Sequence, residues 1–143
     1  MKAQSFAKLL SANDVGATGS HQAGILVPKS DTALLAFFPH LDPTIYNPDA
    51  WIVAEDDAGN EWRLRYIYYN SRLHGSGTRN EYRITYLTKY LKDARAQTGD
   101  LLRFTATAEG GKYRMALDRA APASASVVES PGIIRLSGWR RVH

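Results

Sequence analysis

The sequence contains no cysteine, which excludes a disulfide framework and any metal site built from thiolates. It has no apolar run close to the roughly 20 residues that a membrane span needs. Its first ten residues mix Lys2, Gln4 and Lys8 with apolar residues and lack the unbroken apolar stretch of a signal peptide. We therefore expect a cytoplasmic protein without a membrane partner.

Signatures of catalysis are also scarce. The histidines show no ligand spacing for zinc, and the sequence has neither a phosphate-cradling Walker loop nor a nucleophile elbow around Ser71 or Ser76. Asp49 and Glu61 are weakly similar to the carboxylate pair that holds the metal in a metal-dependent nuclease. However, the lysine that would orient the attacking water is missing. We predict no enzyme activity, catalytic residue, metal, cofactor or small-molecule substrate. A complete nuclease with an unrecognised metal site is the alternative.

Charge is distributed unevenly along the chain, although the net charge of +4 is mild. Residues 61–103 carry nine basic side chains against four acidic ones, whereas residues 42–57 carry five acids and no base. A polarised surface with one positive face follows, and such a face suits an anionic partner.

Hydrophobic alternation predicts a mainly β protein with short helices. Its 143 residues are the size of one domain, taken as residues 1–143. Period-two patterns and intervening turns predict two hairpins, a further strand and a last strand; these elements are Trp51–Ala54 with Trp62–Tyr68, Leu102–Ala106 with Tyr113–Leu117, Tyr82–Tyr86, and Ile133–Leu136. Helices are predicted over Thr32–Phe38, capped by Ser30 or Asp31, and over Leu87–Ala94, while Ala120–Ser130 reads as a loop or linker. Short strands and turns of this kind suggest a barrel-like sheet of about seven strands.

One polar, glycine-rich segment between strands holds the residue types that read base edges. Arginine can donate two hydrogen bonds to guanine, asparagine can pair with adenine, and glutamate can accept from cytosine N4. Arg79, Asn80, Glu81 and Arg83 place these types within five residues. A solvated hairpin end with an Arg–Glu ion pair is the alternative interpretation.

A second polar segment, Ser11–Gln22, sets small hydrogen-bonding side chains beside glycines. Such a loop can bring backbone N–H groups close to a phosphate. An ordinary surface loop is the alternative.

Six tyrosines between residues 66 and 90 could instead stack on single-stranded bases. Most of them fall on one alternating face of a strand, where packing in the core is the commoner explanation. A single-strand or RNA binder therefore remains an alternative, as does a protein–protein scaffold that binds no DNA.

The two polar segments lie in longer stretches, LLSANDVGATGSHQAGILVP (Leu9–Pro28) and RYIYYNSRLHGSGTRNEYRIT (Arg65–Thr85). In these stretches the chain resembles the N-terminal effector domain of EcoRII-type restriction endonucleases. The resemblance implies a DNA-binding pseudobarrel like that of plant B-three-type transcription factors. It also implies two arms that grip double-stranded DNA and read the major groove.

The resemblance assigns roles to individual residues. Ser11–Gln22 would be the first arm and Arg72–Arg83 the second. Base-reading residues would be His21, Arg79, Asn80, Glu81 and Arg83. Phosphate or supporting contacts would come from Asn13, Asp14, Thr18, Ser20, Gln22, Arg65, Asn70, Ser71, Arg72, Ser76, Thr78 and Tyr82.

The chain departs from the family pattern in its second arm. It reads Ser76-Gly77 where the family has a basic residue, with one residue inserted, and Tyr82 stands where a lysine would be expected. Both departures reduce positive charge.

In the family this domain is joined to a C-terminal nuclease domain that cuts at CC(A/T)GG-like sites. The resemblance therefore implies a prokaryotic protein acting at the nucleoid, which recognises DNA while the partner domain cleaves it.

Overall fold

The computed structural model describes residues 4–16, 24–119 and 138–142. Eight strands and two short helices follow one another along this part of the chain. They are β1 (Ser5–Leu9), β2 (Ile25–Val27), α1 (Thr32–Phe37), β3 (Asp49–Glu55), β4 (Glu61–Tyr69), β5 (Glu81–Thr85), α2 (Thr88–Asp93), β6 (Leu101–Ala106), β7 (Lys112–Asp118) and β8 (Trp139–Arg141). The prediction of a mainly β protein with short helices is confirmed, with eight strands in place of about seven.

Both predicted hairpins are present. Strand β3 pairs antiparallel with β4, and β6 pairs antiparallel with β7. The β3–β4 turn closes because the Asp56 carboxylate accepts the backbone N–H groups of Ala58 (3.0 Å) and Asn60 (2.9 Å). Gly59 takes a φ of +85° there, a conformation that glycine adopts without a steric penalty.

All eight strands form one sheet in the order β2-β5-β4-β3-β7-β6-β1-β8, and only the β3–β7 pair among the described strands is parallel. The sheet curls until its two end strands approach each other. The indole of Trp139 on β8 donates to the carbonyl of Leu26 on β2 at 2.8 Å. A side chain therefore links the ends of a nearly closed barrel.

The barrel interior is aromatic. Phe38, just after α1, lies 5.1 Å from the ring of Tyr66 and 6.2 Å from that of Trp139. Helix α1 is fixed above this core at both ends, since Asp31 caps it through Leu34 N–H (3.1 Å) and Tyr113 donates to the carbonyl of Phe37 (2.7 Å). Burial raises the pKa of Tyr113 to about 12, so its hydroxyl remains a donor at physiological pH.

Several predicted boundaries shift. Helix α1 ends one residue earlier than expected, and α2 is the shorter Thr88–Asp93. The sequence pattern missed strands β1, β2 and β8, which are three to five residues long and mostly buried. The predicted strand Ile133–Leu136 and the loop Ala120–Ser130 lie outside the described residues.

Candidate nucleic-acid interface

The predicted second arm, Arg72–Arg83, runs from the loop after β4 into β5, and Ser71 just before it holds its turn together. The Ser71 hydroxyl accepts the backbone N–H of Arg79 (3.1 Å), and its carbonyl accepts that of Ser76 (3.0 Å). A Cβ on Gly77 would lie 2.7 Å from the Ser71 hydroxyl, so glycine is needed at that point. Ser71 is buried and serves the arm as a supporting residue.

Asn70, at the base of the arm, is fully buried and supports the neighbouring loop. Its amide nitrogen donates to the carbonyls of Pro43 (3.1 Å) and Ile45 (2.8 Å), and its amide oxygen accepts the N–H of Asn47 (2.7 Å). Asn70 is predicted to make a phosphate or supporting contact, and the supporting role fits this geometry, because both amide atoms are engaged inside the protein. Its role is to brace the arm against residues 43–47.

Arg79 lies on the outer face of the sheet, stacked on an aromatic ring. Its guanidinium carbon is 3.7 Å from the centre of the Tyr69 ring, a geometry that holds a cation by electrostatic attraction. One terminal nitrogen donates to Glu81 Oε2 at 3.2 Å. Since 43% of its side chain is exposed, Arg79 is oriented yet still accessible.

Glu81 is clamped between two arginines. The Nε of Arg83 also donates to Glu81 Oε2, so both guanidinium groups converge on one carboxylate oxygen. Neither of these bonds uses Oε1. Burial of Glu81 favours the neutral acid, but hydrogen bonds and charge from Arg83 and Arg79 outweigh burial and lower its pKa. Glu81 is therefore an ionised acceptor whose Oε1 receives no hydrogen bond from residues 4–16, 24–119 or 138–142.

Asn80 has only part of its side chain available for hydrogen bonds to a base. The hydroxyl of Tyr68 donates to its Oδ1, and Lys29 Nζ contacts its backbone carbonyl at 3.4 Å. Pairing with adenine requires the amide oxygen as well as the nitrogen. In this arrangement Asn80 offers its Nδ2 amino group, which only donates, and this is less than the sequence-based interpretation assumed.

The base of the first arm is anchored by a buried ion pair. Asp14 accepts from Lys8 Nζ at 2.8 Å, and the two side chains are only 10% and 8% exposed. Asp14 also accepts the N–H of Ser11 (2.9 Å), which makes it a supporting residue. Exposed Asn13 accepts the N–H of Gly16 through its carbonyl (3.2 Å). Four predicted contacts, Thr18, Ser20, His21 and Gln22, lie outside the described residues.

A cleft of about 390 Å³ separates the two arms. Asp14 of the first predicted arm and Arg79 of the second line it, together with Gly24 just before β2 and Tyr69 at the end of β4. Arg65 lies at its floor and forms an ion pair with Asp49 at 2.6 Å. The structure thus brings the described parts of both predicted arms to one side of the sheet.

The remaining predicted residues divide between surface and core. Arg72, Ser76 and Thr78 are exposed on the second arm, where a duplex could reach them. Tyr82 is half-buried and points to the barrel side, with its ring stacked on that of Tyr68 at 4.2 Å. It supports β5 from that side.

Three further residues belong to this interface: Lys29, which the sequence analysis did not name, and Tyr68 and Tyr69, which it considered for base stacking but not as partners of the arm. The ring of Tyr69 supports Arg79, and the hydroxyl of Tyr68 holds Asn80. Lys29, which follows β2, contacts the backbone carbonyl of Asn80. The register that places Tyr69 directly opposite Glu81 is the signal that could have found the role of Tyr69.

No group of three or more histidine, aspartate or glutamate side chains within residues 4–16, 24–119 and 138–142 is arranged to hold a metal ion. Over the same residues, neither helix has the length and apolar character to cross a membrane.

Comparison with protein families settles the chain's relationship. Residues 1–125 match the family described as restriction endonuclease EcoRII, N-terminal. The chain belongs to this family. Within residues 1–143, it is 43% identical over 83 residues to the type II restriction enzyme EcoRII of Escherichia coli, a match covering 56% of the chain and 20% of that enzyme. The chain therefore corresponds to a small part of a much longer relative.

The fold of this EcoRII N-terminal domain is also found in plants. The Arabidopsis FUS3–DNA complex contains a chain that superposes with a TM-score of 0.61 at 21% identity, covering 80% of this chain and 96% of the plant chain. The predicted pseudobarrel of the plant B-three type is confirmed.

Proposed function

We propose that this chain binds double-stranded DNA sequence-specifically, as the effector and target-recognition module of a type II restriction endonuclease. The observation that carries the proposal is the Arg79–Glu81–Arg83 array, in which Arg79 precedes β5 and Glu81 and Arg83 lie on it. Membership of the EcoRII N-terminal family supports it, and so does the DNA-bound plant protein with the same fold.

The spacing of the Arg79–Glu81–Arg83 array matches the major groove of DNA. Alternate residues of a strand are about 6.7 Å apart, close to two base-pair steps, and a β ribbon fits the major groove. The Tyr69 ring and Glu81 fix Arg79, while Glu81 and Gly24 fix Arg83. Less side-chain entropy is then lost on binding than for free arginines.

The chemistry of the array favours G·C pairs. Arginine donors match guanine O6 and N7, and the open Oε1 of Glu81 matches the amino group of cytosine. We propose a CC(A/T)GG-like target, whose outer pairs are all G·C. Asn80 adds one donor for a purine N7 or a phosphate, and His21 would read from the first arm.

In this proposal recognition and cutting are separate. The chain catalyses nothing and binds no cofactor, and a C-terminal nuclease domain of the full-length enzyme supplies cleavage in the bacterial cytoplasm. The alignment with only a fifth of a curated restriction enzyme supports this division.

Fluorescence anisotropy with labelled oligonucleotides tests the proposal. The chain should bind a CC(A/T)GG duplex at least tenfold more tightly than a scrambled duplex or the single strands, with affinity falling as salt rises. Equal affinity for all three would contradict it, and preference for a single strand would favour stacking on tyrosines. Plasmid incubated with the chain and Mg²⁺ should stay intact, and cleavage would refute the non-catalytic part.

A further inference from the structure

Two large aromatic side chains are exposed together beside the cleft between the arms. Trp51 on β3 is 45% exposed and Tyr86, just beyond β5, is 62% exposed. Their rings meet edge-to-face with centroids 5.0 Å apart. Single exposed apolar residues are ordinary, but a contiguous pair next to a binding cleft points to contact with a ligand.

Tyr86 occupies a costly backbone conformation. Its φ is +72°, in the left-handed region that glycine occupies freely and bulky residues avoid. Strain of this kind persists at positions where the side chain does something that a glycine could not do. Here the exposed ring is held against Trp51 and lines the cleft.

Two arginines of β4 lie beside this pair. Arg63 lies over the Trp51 ring with its guanidinium carbon 5.3 Å from the centroid, and Trp51 faces Arg65 across the β3–β4 ladder. Arg65 is on the side of the arms and is paired with Asp49, whereas Arg63 lies towards the end of the two strands where Glu55 and Glu61 face each other. The guanidinium of Arg63 is thus the positive group in direct contact with the aromatic pair.

The pair adjoins the proposed reading surface through Tyr86. Tyr86 lines the same cleft as Arg65, Tyr69 and Arg79. A duplex seated on the arms would extend over Trp51 and Tyr86 as it leaves the base pairs read by β5. Flat rings beside a guanidinium match deoxyribose and phosphate, which every sequence presents.

We propose that Trp51, Tyr86 and Arg63 form a third DNA contact, which packs against the sugar–phosphate backbone flanking the recognised base pairs. The inference rests on the proposed function and extends it to the length of duplex that the domain covers. The aromatic rings pack on deoxyribose, while Arg63 and the Tyr86 hydroxyl approach phosphates. This contact adds affinity but no base preference.

The test combines protein variants with duplexes of two lengths. One duplex carries the target with several base pairs on each side, and the other is trimmed close to the target. The parent chain should bind the long duplex about three- to tenfold more tightly, whereas W51A and Y86G should bind the two lengths almost equally. Arg63→Ala should lower the salt slope on the long duplex by about one.

The controls separate this contact from a general loss of structure. Y86G removes the ring and also the backbone strain, so its thermal midpoint should not fall substantially even though binding to the long duplex weakens. Arg114→Ala removes an exposed arginine opposite Glu55 at the acidic end of the sheet and should change neither length dependence nor salt slope.

Each outcome bears on a different claim. If W51A and Y86G keep the parent's full preference for the long duplex, the third contact does not exist, and the aromatic pair serves another partner. If the variants lose sequence preference itself, the pair reads bases and the backbone assignment is wrong. A parent chain that binds neither duplex specifically overturns the proposed function and this inference with it.

Discussion

Arg83 donates from its Nη1 to the backbone carbonyl of Gly24 at 3.0 Å, and so connects β5 to the chain between the first predicted arm and β2. Its Nε is held by Glu81 at the same time. A guanidinium has five N–H donors, so donors remain for a base after both internal bonds are made. Arg83 can therefore set the relative position of the arms and read DNA from that position.

Replacing Arg83 should affect binding in two ways, whereas replacing Arg79 should affect it in one. Arg79→Ala should cost about 1–3 kcal/mol of binding to the specific duplex and relax preference at one base pair. Arg83→Ala should cost at least as much and also weaken binding to random duplexes, because Gly24 loses its partner. Titration of specific and scrambled duplexes measures both effects, and unchanged Arg79→Ala binding would rule out its reading role.

Glu81 should make folding sensitive to acid. Its pKa is lowered in the folded state, so the ionised carboxylate stabilises the fold fully above the ordinary glutamate value of about 4.3. That stabilisation is lost as pH falls through the lowered pKa. The free energy of unfolding should thus drop less on acidification in Glu81→Gln than in the parent. Urea titrations at several pH values compare the two proteins, and parallel pH profiles would contradict the clamp.

Asn70 should matter for stability more than for DNA contact. Asn70→Ala removes the partners of Pro43, Ile45 and Asn47 from a buried site, and should lower the free energy of unfolding by about 1–3 kcal/mol. The matched control is Thr78→Ala on the exposed part of the same arm, which should stay within about 0.5 kcal/mol. Chemical denaturation measures the free energy of unfolding of both variants. If Asn70→Ala and Thr78→Ala are equally stable, the hydrogen bonds of Asn70 to residues 43–47 are unimportant for stability.

The Lys8–Asp14 pair should be intolerant of a single neutral replacement. Lys8→Met leaves Asp14 buried without its partner, and we expect a loss of about 3–5 kcal/mol. The double variant with Asp14→Leu should recover much of that loss, because two apolar side chains avoid the desolvation of a charge. Urea denaturation of the single and double variants decides, and a double variant less stable than Lys8→Met would argue against this account.

The parts of the fold that sequence could predict are those with a repeating signal. Strand β4 alternates apolar residues from Trp62 to Tyr68, and the turn before it carries Gly59 in the expected place. Strands β2 and β8 have three residues each, too few for a period to be visible. The indole of Trp139 bonds to Leu26 across 113 positions of the chain, a contact that no local pattern encodes.

The candidate site was predictable in its residue types but not in its internal bonds. The sequence places Glu81 and Arg83 at alternate positions of a strand, with Arg79 two residues before it. It does not show that both arginines bind the same oxygen of Glu81, or that Tyr68 occupies the amide oxygen of Asn80. Tyr86 continues the alternation of Tyr82 in sequence, yet its backbone turns to a positive φ and leaves the ring exposed.

The measurement that tests the central claim most directly is selection of bound duplexes from a random pool, with the parent chain and Arg79→Ala compared side by side. The parent should enrich a short motif with G·C pairs at its ends, and Arg79→Ala should lose preference at one of those pairs while enriching the rest. An unenriched pool for the parent, or identical motifs for both proteins, would contradict the assignment of base reading to the second arm.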